Sequence, residues 1–165
     1  MTKKSTEDHL KELTRFGKLS HYGKVQWPDE TCVRRLWLHP SVKHWMMLEG
    51  TASERDYYAQ VRAFFSAFIS GADFDDDDLL KALSGGKDGI WEFRITFQPQ
   101  ARVFGFFLRP GEFVALAHKD RGDLDKSGFG GSIQTVKDRA KLLFPADKPL
   151  IDTRANLLQE FYDDI

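Results

Sequence analysis

Cysteine is almost absent: Cys32 stands alone among 165 residues. A single thiol excludes an internal disulfide and any zinc site built on several thiolates. Long apolar runs are missing too, and nothing approaches the 18 or so consecutive apolar residues of a membrane span. Met1 to His9 lacks the apolar run of a signal peptide and carries acids that transit peptides avoid, so the expected location is the cytoplasm. Charge of one sign is also lacking, since 24 Lys/Arg meet 25 Asp/Glu for a formal net charge of −1. Any nucleic-acid site must therefore be a local patch.

Several motifs fail on inspection. The acids of Asp73–Asp78 lack the spacing and glycine of an EF-hand loop and read as capping and solvating residues. Cys32, His39 and His44 have no metal-ligand spacing, and no Lys-Ser/Thr follows Gly128-Phe-Gly-Gly131 as a nucleotide loop requires. No metal and no cofactor is expected.

Bulky apolar residues are plentiful, with 14 Phe and 4 Trp, enough to exclude wholesale disorder. Charge is uneven: residues 87–143 hold 10 Lys/Arg against 7 Asp/Glu, while residues 144–165 hold 2 against 5. Leu10, Leu13 and Phe16 predict a short amphipathic helix over 4–16. Gly17 and Gly23 then bracket a turn-rich stretch ending at Trp27-Pro28-Asp29. Two short helices are expected between Thr31 and Leu48, interrupted by Pro40. The clearest helix spans about Ser53 to Ser70, where Tyr57, Val61, Phe64, Phe65, Phe68 and Ile69 recur at spacings of three and four. Ser53 with Asp56 resembles a capping box, and Gly71 is the expected stop. The acids before Leu79–Leu83 suggest another short helix.

From Gly89 the period changes to 2. Trp91, Phe93, Ile95 and Phe97 share one face of a strand, and Glu92, Arg94 and Thr96 the other. Ala101 to Leu108 and Phe113 to Lys119 follow as strands, joined by short turns, with Pro110-Gly111 suited to a type II turn. A polar loop from Asp120 to Ser132 leads to a last helix carrying Ile133, Val136, Ala140 and Leu143. The outline is α+β: an antiparallel β-meander packed against helices, with an N-terminal helical extension. Residues 1–50 read as the extension, 51–145 as the principal domain and 146–165 as an acidic C-terminal tail.

The run Leu83-Ser-Gly-Gly-Lys-Asp-Gly-Ile-Trp-Glu-Phe-Arg94 resembles the entry into the sheet of RelE/HigB-type bacterial toxins. Ala101-Arg-Val-Phe-Gly-Phe-Phe107 is similar to their second strand, Phe113 to Lys119 to their third, and Ile133 to Leu143 to their closing helix. The resemblance covers about residues 55–144. It implies the toxin of a toxin–antitoxin pair, an endoribonuclease that cuts mRNA without metal, with a cognate antitoxin and the ribosome as partners. It also implies Arg102, His118, Lys119 and Arg121 as catalytic residues, with Arg94 and Lys126 binding substrate. Arginine suits the extra charge on a phosphate in transfer, and an imidazole suits proton movement near neutral pH. The loop from Asp120 to Phe129 lacks the tyrosine or histidine that many members carry. A catalytically silent protein- or RNA-binding module of phage or prophage origin therefore stands as the alternative.

Overall fold

The computed structural model describes residues 4–23 and 32–161. The turn-rich stretch expected up to Asp29 lies partly outside them. The described residues form one six-stranded sheet between two helical layers. The strands are β1 (Ser20–His21), β2 (Arg35–Leu38), β3 (Leu80–Ala82), β4 (Ile90–Ile95), β5 (Ala101–Arg109) and β6 (Glu112–Asp120), in spatial order β1-β2-β6-β5-β4-β3.

β3 to β6 pair antiparallel in succession, whereas β2 runs parallel to β6, with Leu36 opposite Phe113. The sheet is thus mixed, and the expected purely antiparallel meander describes only part of it. Helices α1 (Thr6–Arg15), α2 (Pro40–Met46), α3 (Ala52–Ile69), α4 (Arg121–Ser127), α5 (Gly130–Leu143) and α6 (Arg154–Leu157) complete the fold. Among the described residues, no helix is long and apolar enough to cross a membrane.

Alternation assigns the faces. Trp91, Phe93 and Ile95 meet Val61, Phe65 and Phe68 of α3 on one side. Phe93 is the hub, its ring 5.2 Å from Phe65, 5.0 Å from Phe68 and 4.7 Å from Phe113, all edge-on. On the other side Phe104, Phe106 and Val114 meet Leu10 and Leu13 of α1, Leu124 of α4 and Val136 of α5. Both faces of β5 are covered, which is why Ala101 to Leu108 is buried without interruption.

Four local expectations change. Arg35–Leu38 is a strand, and Pro40 begins α2 at a position where its missing N–H costs nothing. The cap of α3 is Thr51, whose hydroxyl accepts from the Glu54 amide at 3.3 Å, in place of Ser53. Leu80–Ala82 is an edge strand rather than a helix, because β4 offers it a ladder. The supposed loop at 120–132 contains α4 and the start of α5, anchored by buried Leu124.

The terminal segments are built into this fold. β2 lies inside the sheet, flanked by β1 and β6. Leu157 of α6 is fully buried against the α3 layer, and Arg154 donates to Asp75 and Asp77 at 2.6 Å each.

Candidate functional site

Cross-strand register sets three cations side by side near one end of the sheet: Arg94 opposite Arg102, and Arg102 opposite Lys119. Their environments differ sharply. Arg102 is only 2 % exposed. Its Nη1 donates to the Ala101 carbonyl at 2.9 Å, and its Nε lies 3.9 Å from the Glu92 carboxylate without a hydrogen bond. Burial pushes Glu92 above the usual carboxylate range and Arg102 below its usual value, against the attraction between them. The expected phosphate-binding arginine is therefore a buried structural charge. On the face that the alternation Glu92/Arg94/Thr96 suggests is polar, Glu92 is buried with Arg102, Arg94 is half-buried and Thr96 is exposed.

Arg94 is half-buried and donates to the Asp77 carbonyl at 3.1 Å, with Glu92 3.8 Å away. Arg121 pairs with Asp125 at 3.1 Å and packs over the Phe129 ring. Arg121 and Lys126 line an open groove of about 580 Å³ that also contains Asp120, Asp123 and Asp125. The acids there neutralise the cations, so this groove has little pull on a phosphate.

His118 and Lys119 face a different place. A cleft of about 410 Å³ opens between the end of β6, the start of α2 and the first turns of α5, lined by Ser41, His118, Lys119 and Arg139 among others. No acid lines it. Alternation alone puts His118 and Lys119 on opposite faces of β6, and both reach the cleft because it lies at the sheet's end.

The His118 ring stacks on Trp45, centroids 4.8 Å apart and 13° from parallel, with its Nδ1 buried and unbonded. Burial holds its pKa below the ordinary imidazole value, Arg139 and His44 push the same way, and Asp120 opposes them. Burial therefore favours the neutral ring. Lys119 makes no ion pair with any described residue.

Arg139, on the edge of the α5 apolar stripe, donates to the Leu116 carbonyl and, at 3.1 Å, to Ser41 Oγ. Ser41 Oγ lies 2.8 Å from His39 Nδ1, which also accepts the Ser41 amide at 3.1 Å. Burial and Arg139 lower the His39 pKa to about 4, so Nδ1 is free to accept both. The chain Arg139–Ser41–His39 fixes the guanidinium at the cleft wall.

Arg139, Ser41 and His39 are the residues sequence reasoning missed. A cation three residues after Val136, on the flank of an apolar stripe, was the available signal for Arg139; Ser41 has none. Among the described residues no three His, Cys, Asp or Glu side chains converge as a metal site. No known protein family, curated protein or solved structure matches this chain.

Proposed function

We propose that this protein is a RelE-like toxin of a toxin–antitoxin pair, acting as a metal-independent endoribonuclease on mRNA. The observation that carries the reading is the convergence of His118, whose burial favours the neutral ring, with the cations Lys119 and Arg139 in one cleft lined by no acid among the described residues. The resemblance of 83–94, 101–107 and 113–119 to RelE/HigB-type toxins supports it, since these segments fall in β4, β5 and β6 and α5 packs over them.

The chemistry needs three tasks. His118 accepts the proton of a ribose 2′-hydroxyl as its oxygen attacks the adjacent phosphorus. Arg139 and Lys119 stabilise the added negative charge on the non-bridging oxygens. The O2′–P bond forms, the P–O5′ bond breaks, and the Lys119 ammonium supplies the proton to the departing O5′. A 2′,3′-cyclic phosphate and a 5′-hydroxyl result. The cognate antitoxin would silence the protein, and the ribosome would present the mRNA.

Burial of Arg102 favours a second reading, a binding module that holds RNA or protein without cutting. Cleavage of RNA, free and on translating ribosomes, in the presence of a chelator separates the two. The wild type should cut, and His118→Gln should lose at least about 100-fold with unchanged melting. Activity of the wild type should decline only below the ordinary histidine pKa, because His118 must protonate to lose its role. No cleavage by the wild type selects the binding module.

A further inference from the structure

An imidazole that takes up protons is ordinarily oriented by an acceptor on its second nitrogen. His118 has none, because its Nδ1 is enclosed without a hydrogen bond to any described residue. Nε2 is left as the nitrogen that meets the cleft. What the ring has in place of an acceptor is an aromatic face. Trp45, in the last turn of α2, is 5 % exposed and lies 4.8 Å from the imidazole centroid, 13° from parallel. Tyr58 of α3 stands edge-on to the indole at 5.9 Å, and Trp45 belongs to the same buried cluster as Val42 and Met46. Packing therefore sets the plane of the imidazole where a hydrogen bond ordinarily sets it.

The stack has an electrostatic consequence. An aromatic face carries negative potential and attracts a cation laid over it, indole most strongly. The neutral ring gains little from this, and the imidazolium gains the full attraction. Around the ring, Arg139 of α5 and His44 of α2 oppose a positive charge, and Lys119 is the next residue along β6. Asp120 of β6 favours the charge, but it is exposed and water screens it. Tyr58 stays a neutral phenol, because burial holds its pKa above the usual value. Val103, opposite His118 on β5, carries no charge. The indole face acts at contact distance and is placed to favour the protonated ring.

We propose that Trp45 is the positioning residue of His118: its face holds the imidazole with Nε2 toward the cleft and stabilises the imidazolium once Nε2 has taken up a proton. The use of this pair in RNA cleavage rests on the nuclease reading. The pairing itself is measurable on the protein alone.

The test follows the His118 ring protons by NMR through a pH titration of the full chain, with His118→Gln assigning the resonances. In the wild type they should lie upfield, in the shielding region of the indole, and remain there as the ring protonates. Loss of the upfield position during the titration means that the ring has swung into water, and it overturns the proposal without any variant. Trp45→Leu keeps an apolar wall and removes the π face. A wall that only excludes water predicts a rise in the His118 pKa when it is loosened, since desolvation eases. Loss of a stabilising face predicts the opposite, a fall of about 0.5 or more. Trp45→Phe keeps a weaker face, should show a smaller fall, and serves alone where the leucine variant does not fold. A rise or no change in the variants that fold overturns the role of Trp45.

Cleavage separates this pairing from the nuclease reading. A wild type that cuts no RNA, with a His118 pKa that falls in the variants, removes the nuclease and leaves the pair. A wild type that cuts, with a pKa that does not fall, does the reverse. Where both hold, the acid limb of the rate–pH profile of Trp45→Phe should move to lower pH with the His118 pKa while KM stays unchanged.

Discussion

Arg102 shows how far a side chain's role depends on what lies above it. An exposed arginine at that position would contribute little to stability, but this one is enclosed beside Glu92. Replacing it with Met strips Glu92 of one of the two cations beside it and should destabilise the fold by about 3 kcal/mol, measured by denaturant unfolding. Glu92→Leu with Arg102→Met should recover most of the loss, since two apolar groups then replace a poorly bonded pair. His39 makes a second residue-level case. Its folded pKa of about 4 lies below the unfolded value near 6.5, so the unfolded chain binds the extra proton first. Stability from His39 is therefore complete above pH 6.5 and is lost as pH falls toward 4. Melting should decline across that window, and His39→Asn, which keeps a capping side chain, should flatten the decline.

Among the elements, β5 is the most tightly constrained. Gly105 sits at a bulge where Phe104 pairs with Ala117 but Gly105 pairs with Ala115. A Cβ there would lie 1.9 Å from the Val114 carbonyl oxygen and 2.7 Å from the Phe113 ring. Backbone cannot yield as a flexible side chain does, so Gly105→Ala should cost at least about 3 kcal/mol and show as lost cooperative unfolding. The bulge also re-aims the end of β6, where His118 and Lys119 leave the sheet for the cleft. α4 and α5 illustrate the opposite limit. Their junction, Gly128 to Gly131, contains three glycines, and Phe129 is the one side chain there that packs, edge-on to Phe104.

At the scale of the whole molecule, charge ties the termini to the sheet. Glu112 is fully buried, meeting Arg109 at 2.7 Å, Arg35 at 3.2 Å and the Trp37 indole N–H at 3.1 Å. Glu7 of α1 bridges the same two arginines, and both guanidiniums lie 4.7 Å from the Phe161 ring. One network therefore joins α1, β2, the β5–β6 turn and the C-terminal segment. Deleting residues 1–50 removes β2 and Glu7 together, baring the β6 edge and leaving buried Glu112 with Arg109 but without Arg35 and the Trp37 N–H. The shortened chain should aggregate, as read by light scattering, rather than remain a stable core.

Local pattern was sufficient for the long α3 stripe, the period-2 run from Ile90, the turn at Pro110-Gly111 and the α+β class, because periodicity reports which side of an element is apolar whatever it packs against. It could not report neighbours. That Arg35–Leu38 pairs parallel to β6, that Leu80–Ala82 is a strand, and that α4 replaces a loop all depend on contacts distant in the chain. The site divides in the same way. His118 and Lys119 were legible as polar groups at a strand end, but Arg139 and Ser41 join them only through the packing of α5 and α2 beside β6. Arg102 was misplaced because alternation marks a polar face, while only the second helical layer decides whether that face meets water.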